Sequence, residues 1–192
     1  MIFYHHLSSL AQTNPTSIAS LPEGWQNISG DRVTISLPNN YQGGKPALAL
    51  DSLREKLSET DFGDRLDLIQ QNKDNIALVA VDIENFAKSL DNVNITFTKA
   101  DKKTDFTQYL EKCRSQLASK YQIEEDNISS ESQKSLNRIV AETTIAEQKI
   151  AHAIYLQENN KLFWSIIYTT TSDRLPTQLP TFDRSAASLQ FS

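Results

Sequence analysis

The sequence predicts a single α+β domain, an α/β/α sandwich whose central, mostly antiparallel sheet has about six to eight strands. Residues 138–171 carry that prediction. They read as three successive strands, RIVAETTIA, KIAHAIYLQ and KLFWSIIYTTT, separated by polar pairs at Glu147-Gln148 and Asn159-Asn160. With two-residue turns, Ile139, Ala141, Thr143 and Ile145 share a face with Ile150, His152, Ile154, Leu156, Phe163 and Ile167. Ala151, Ala153, Tyr155, Trp164, Ile166 and Tyr168 occupy the other face. Both faces of the last two strands are therefore apolar, and each needs a covering layer.

The preceding elements supply strands and one cover. Residues 1–20 are rich in Ser, Thr, Asn and Pro and read as a flexible segment before a domain spanning 21–192. WQNIS and RVTISLP form two short strands joined at Gly30-Asp31. Val33, Ile35 and Leu37 alternate onto one face, and Pro38 ends the run because it has no N–H to extend a ladder. NNYQGGK reads as a connecting turn, with Gly43-Gly44 free to adopt positive φ. Ala47 to Leu57 has helical spacing through Leu50, Leu53 and Leu57, and a second piece carries Phe62, Leu66 and Ile69 behind an Asp61 cap.

Further on, NIALVAVD is an apolar strand. NVNITFTK alternates, with Val93, Ile95 and Phe97 inward and Asn94, Thr96 and Thr98 toward solvent or a sheet edge. Thr104 or Asp105 caps a helix with Phe106, Tyr109, Leu110, Cys113 and Leu117 on one stripe. YQIEEDNISSESQK reads as a short strand and a turn. Pro176 and Pro180 place the C-terminal helix after them, at Thr181 to Leu189, with Phe182, Ala186 and Leu189 as its packing stripe.

Composition bounds the function. The 192 residues are 39% hydrophobic and 22% charged, a globular balance, and the net charge of -5 argues against nucleic acid as a partner. Between Asp51 and Asp91 ten acidic residues face five basic ones, whereas 92–192 balance at twelve each. A single cysteine excludes an internal disulfide and a Cys-based metal motif. No run approaches the roughly 20 apolar residues of a membrane span, although peripheral membrane association stays open.

The chemistry-bearing residues point away from catalysis. His5 and His6 are neighbours without metal-ligand spacing. His152 falls beside Thr143 on an apolar face, the setting of a core imidazole satisfied by a hydroxyl or a carbonyl. Cys113 lies on a helix stripe as a packed thiol. Acidic pairs such as Asp61/Asp64 lack the order of a calcium loop, and no nucleotide or hydrolase motif occurs. Neither a cofactor nor a metal is expected. Tyr155 and Trp164 come out opposite one another as core. Trp25 and Tyr41, at element ends near the surface, are the candidate partner contacts together with Glu55, Glu59, Asp61, Asp64 and Asp67 on the acidic helices.

The phrase LPEGWQNISGDRVTISLPNNYQGG, the helix 104–120, the strand triplet and the ending LPTFDRSAASLQF together resemble the PsbP/Mog1-like superfamily over about residues 21–191. The chain is most similar to the small uncharacterised PsbP-like members of cyanobacteria. The resemblance implies an antiparallel sheet between helices and a non-enzymatic role, with no catalytic residue to carry over. It implies a protein-binding or assembly factor, associated with photosystem II in one branch of the family and with a small GTPase in the other.

Two alternatives stay open: a small-molecule or lipid carrier with a pocket between sheet and helices on the Tyr155 and Trp164 face, and a hydrolase-like enzyme centred on His152. A monomer is expected. The expected compartment is the cytoplasm as the sequence stands, or the thylakoid lumen or periplasm if its N-terminus is incomplete.

Overall fold

The computed structural model describes residues 21–57, 71, 73–100, 104–129, 135–145 and 147–192. The flexible segment expected at 1–20 and the helical piece at 62–69 lie outside them. The chain in order gives strands β1 (Trp25–Ser29), β2 (Val33–Pro38) and β3 (Tyr41–Gly44), helix α1 (Pro46–Lys56), strand β4 (Ile76–Asp82), the single turn α2 (Phe86–Ser89) and strand β5 (Asn92–Lys99). Helix α3 (Phe106–Ala118) then leads to β6 (Gln122–Ser129), β7 (Ser135–Ile145), β8 (Gln148–Asn159) and β9 (Leu162–Thr171). Helix α4 (Leu175–Ala187) and the short β10 (Gln190–Phe191) close the chain.

Seven strands form one antiparallel sheet in the order β3-β4-β5-β9-β8-β7-β6, as the α+β sandwich requires. The expected β7–β8–β9 faces hold, but the first turn sits one residue earlier and the second one residue later. Ile145 pairs with Gln148, and Asn159 with Leu162. Glu147, Asn160 and Lys161 take positive φ at these turns. Moving a turn by one residue changes each partner by two positions, which preserves faces and alters neighbours. His152 therefore lies opposite Ala141 and Thr169 rather than beside Thr143, and Tyr155 opposes Ile166 rather than Trp164.

β5 lies inside the sheet, between β4 and β9, and is not an edge. Its Val93 and Ile95 are fully buried. On the opposite face Asn92 is buried, Asn94 and Thr96 are half-buried, and Thr98 is exposed.

One face of the sheet carries α1 and α3. Leu50, Leu53 and Leu57 of the first helical segment bury against Val79, Val81 and Phe86. The stripe Phe106, Tyr109, Leu110, Cys113 and Leu117 packs over Ile139, Ala141, Ile154 and Leu156. Asp105 begins α3 with a capping box: its carboxylate accepts from the Gln108 backbone N–H, and the Gln108 side chain accepts from the Asp105 N–H.

The other face is covered by more than helix. β1, β2 and β10 form a separate three-stranded sheet, which places Val33, Ile35 and Leu37 on the core and Phe191 against Trp164 at 5.0 Å. Helix α4 completes this layer and corrects the expected helix start, because it runs through Pro180. Proline there costs a backbone hydrogen bond and crowds the preceding turn. Burial of Leu175, Phe182 and Ala186, with Phe182 stacked on Tyr168 at 4.5 Å, offsets that cost.

Candidate functional site

YQGG is a strand, not a connecting turn. Gly43 pairs with Ala80, and a Cβ there would stand 2.0 Å from the Val79 carbonyl oxygen and 2.5 Å from the Ala80 Cα. Only glycine admits this approach, so Gly43 lays β3 along β4. Tyr41 is consequently drawn inward and is 3% exposed. This corrects its expected surface position: its ring belongs to the main core cluster. Its hydroxyl has no hydrogen-bond partner among the described residues, and burial, with Asp91 and Asp82 nearby, raises its pKa well above the phenol range.

Tyr41 borders a polar cluster at one end of the sheet. Asp82 accepts from the backbone N–H groups of Glu84 and Asn85, each at 3.1 Å, and from the Asn85 amide at 2.9 Å. Asp91 accepts from the Thr170 hydroxyl at 2.5 Å and from Arg174 at 2.7 Å. Burial raises the Asp91 pKa, while Thr170 and Arg174 oppose that shift. Both carboxylates are engaged in holding the loops that end β4 and lead into α4. Two members of the acidic excess between Asp51 and Asp91 are thus structural rather than solvated.

Where α1, β1 and β3 meet, they enclose a groove of about 400 Å³ bounded by Gln26, Asn27, Tyr41, Gln42, Leu48 and Ser52, among others. β1 is the terminal strand of the small sheet and β3 of the large one, so among the described strands each has one unpaired edge. The Gln26 amide bridges them, donating to the carbonyls of Tyr41 at 2.8 Å and Asn39 at 3.0 Å. At the rim, Leu48 on α1 is 80% exposed.

Trp25 on β1 is half-buried with the Arg184 guanidinium over its ring at 5.7 Å. Glu55 is exposed on α1. In α1 the acidic Asp51 and Glu55 are matched by Arg54 and Lys56, so this helix carries no net charge. Glu59, Asp61, Asp64 and Asp67 lie outside the described residues. Of these candidates only Tyr41 lines the groove; Trp25 and Glu55 lie on its bordering elements but outside its lining, and sequence reasoning missed Leu48.

The face of Tyr155, Trp164, Ile166 and Tyr168 is filled. All four residues are at most 2% exposed, and the Tyr155 and Tyr168 rings meet edge-on at 5.7 Å. The Tyr155 hydroxyl donates to Asp183 at 2.7 Å, and Arg138 reaches both oxygens of the same carboxylate at 2.8 Å. A carrier pocket on this face is excluded by that packing.

On the opposite face an open surface groove of about 590 Å³ runs beside the C-terminal half of α3. Beside it the half-buried His152 has Nδ1 3.0 Å from the Thr169 hydroxyl and meets Tyr121 edge-on at 5.7 Å. The expected hydroxyl partner is present, from Thr169 rather than Thr143. No group of three or more His, Cys, Asp or Glu residues placed to hold a metal occurs among the described residues. No described helix is long and apolar enough to cross a membrane.

With this geometry in view, the solution structure of cyanobacterial PsbP (CyanoP) from Synechocystis sp. PCC 6803 superposes with a TM-score of 0.54 at 12% identity, covering 97% of this chain and 99% of that one. The chain has the PsbP-like fold. Looser likenesses are found to LpqN, involved in cell envelope biogenesis of Mycobacterium tuberculosis (TM-score 0.48, 9% identity, 88% and 90% covered), and to the Saccharomyces cerevisiae Ran-binding protein Mog1p (0.47, 9%, 83% and 90%). No protein-family model and no curated protein sequence matches the chain.

Proposed function

We propose that the protein is a non-catalytic protein-binding or assembly factor that takes an extended segment of a partner protein into the groove between β1, β3 and α1. The observation that carries the reading is Leu48, an 80% exposed leucine at the rim of a groove flanked by two unpaired strand edges. Unpaired edges offer main-chain donors and acceptors to a guest strand, and an adjacent apolar side chain selects what that strand presents. The fold shared with cyanobacterial PsbP extends the proposal to a partner in a photosynthetic membrane complex.

The test is affinity isolation under gentle conditions from cells that make the protein, comparing the natural chain with Leu48→Asp. Leu48 is exposed, so the variant keeps its fold. A partner retained by the natural chain and lost with Leu48→Asp supports the reading, and equal retention by both refutes the groove. Cell fractionation then tests the finer proposal. Association with a photosynthetic membrane supports it, and a purely cytosolic protein with a cytosolic partner removes the photosynthetic role while leaving the binding role.

A further inference from the structure

Strand pairing fixes which main-chain groups face the groove between β1, β3 and α1. In the β1–β2 hairpin the Gly30 N–H donates to the Val33 carbonyl at 2.8 Å, and the Asn39 N–H to the Gly24 carbonyl at 2.9 Å. Antiparallel partners alternate between exchanging hydrogen bonds and not doing so. In this register Gln26 and Ile28 therefore direct their main-chain groups at β2, while Asn27 and Ser29 turn theirs outward. To either side, the N–H groups of Trp25 and Asp31 donate to Pro22 and Ala77. Asn27 and Ser29 are exposed and line the groove. Their side chains are tied to the neighbouring strand, Asn27 accepting from the Ser36 hydroxyl at 2.9 Å and the Ser29 hydroxyl lying 3.1 Å from that of Thr34.

The other edge offers less. The Ile83 N–H donates to the Asn40 carbonyl at 3.1 Å, so Gln42 faces β4, and Tyr41 and Gly43 face outward. The Tyr41 carbonyl already accepts from the Gln26 amide, and α1 begins two residues after Gly44. Charge around the groove is balanced: Lys45 pairs with Asp31 at 3.2 Å, Arg54 faces Asp51 at 3.9 Å, and Lys56 donates to the Gln42 side chain. No lining residue carries a charge.

We infer, taking the groove as the partner site, that the partner's segment joins β1 as a further strand of the small sheet, exchanging hydrogen bonds with Asn27 and Ser29. The segment is uncharged and sets an aliphatic side chain against Leu48. A neutral lining gives a charged guest nothing to pair with, and the exposed leucine rewards an apolar one. Each main-chain hydrogen bond is worth about fivefold in affinity, and the aliphatic contact about fivefold more.

NMR titration of the full chain with the capped peptide Ac-Thr-Leu-Thr-Leu-Thr-NH2 tests the inference. Saturable shifts of the Asn27 and Ser29 amide signals are expected at millimolar peptide. N-methylation of the peptide should weaken binding about fivefold for each donor removed, and exchanging its leucines for serine about fivefold. Asn27→Pro removes an outward N–H and leaves the β1–β2 bonds intact, a position where edge strands tolerate proline, and should weaken binding at least about fivefold. If that variant fails to fold, the N-methylated peptide decides on the natural chain. Equal binding of the N-methylated peptide, or no shift at millimolar peptide, overturns the inference. If Leu48→Asp abolishes binding while the N-methylated peptide still binds fully, strand pairing falls and the groove stands; if neither change matters, both fall. A natural chain that sediments as a dimer, and as a monomer in Asn27→Pro, assigns this edge to a second copy and likewise overturns the inference.

Discussion

Asp183 pins α4 across the sheet, and its removal offers a quantitative test of how that face is sealed. Its carboxylate takes the Tyr155 hydroxyl at 2.7 Å and Arg138 at 2.8 Å. Tyr155 and Arg138 are direct cross-strand neighbours, so one acidic side chain from the helix ties two strands to it. Tyr155 is fully buried, and Asp183 is the acceptor of its hydroxyl.

In Asp183→Ala that hydroxyl loses its acceptor, at a cost of about 1–3 kcal/mol. The ion pair adds less than a fully buried one would. Arg138 is 11% and Asp183 29% exposed, so solvent screening holds its share to about 1 kcal/mol. The total of about 2–4 kcal/mol is a large fraction of a typical domain's stability. Equilibrium urea denaturation measures it. A double-mutant cycle isolates the Tyr155 share: Tyr155→Phe should cost about 1 kcal/mol in the natural chain and recover about 1 kcal/mol or more in Asp183→Ala, where it removes the unsatisfied hydroxyl. Additive costs would show that the two groups do not cooperate and refute the argument that Asp183 satisfies the buried phenol.

Other expectations follow from single positions. Gly43→Ala should destabilise by about 3 kcal/mol or more in the same assay, because its Cβ meets the Val79 carbonyl and the β4 backbone; a neutral effect would contradict the close approach of β3. Pro180→Ala should stabilise by about 1–2 kcal/mol by restoring a backbone bond within α4, and a loss of stability would count against a helix continuous through 180.

The Asp91 carboxyl has a raised pKa in the folded protein, mainly from burial. The folded state then binds its proton more tightly than the unfolded chain does. Its contribution to stability is fully present below the unfolded carboxylate value of about 4 and is lost as pH rises through the folded value. Asp91→Asn should flatten that part of the stability profile, and an unchanged slope would mean that Asp91 is not its source.

How far the sequence discloses this molecule depends on the physical signal at each position. Alternation settled which side chains of β7, β8 and β9 share a face, since parity survives a turn moved by one residue. It did not settle partners, because positive φ at Glu147 and Lys161 carries no compositional mark as glycine would. The stripe of α3 and its Asp105 cap were legible from spacing alone.

Tyr41 was misplaced because glycines beside it signal a turn, whereas Gly43 here permits two strands to crowd together. The second sheet was hidden since β10 is two residues long, too short for any periodicity. Of the groove, sequence reasoning singled out Tyr41 alone, and Trp25 and Glu55 lie on bordering elements without lining it. Leu48 was missed, because one leucine among Leu50, Leu53 and Leu57 looks like core until the helix is set against the sheet.

The most direct test of a partner-binding groove is site-specific photocrosslinking in living cells with a photoreactive side chain at position 48, and, as a control, at Ile145, which is 49% exposed beside the β7–β8 turn. A discrete adduct with one partner protein is expected from position 48, competed away by excess unlabelled protein, and none from position 145. The same adducts from both positions, or none from position 48, would contradict a partner-binding groove.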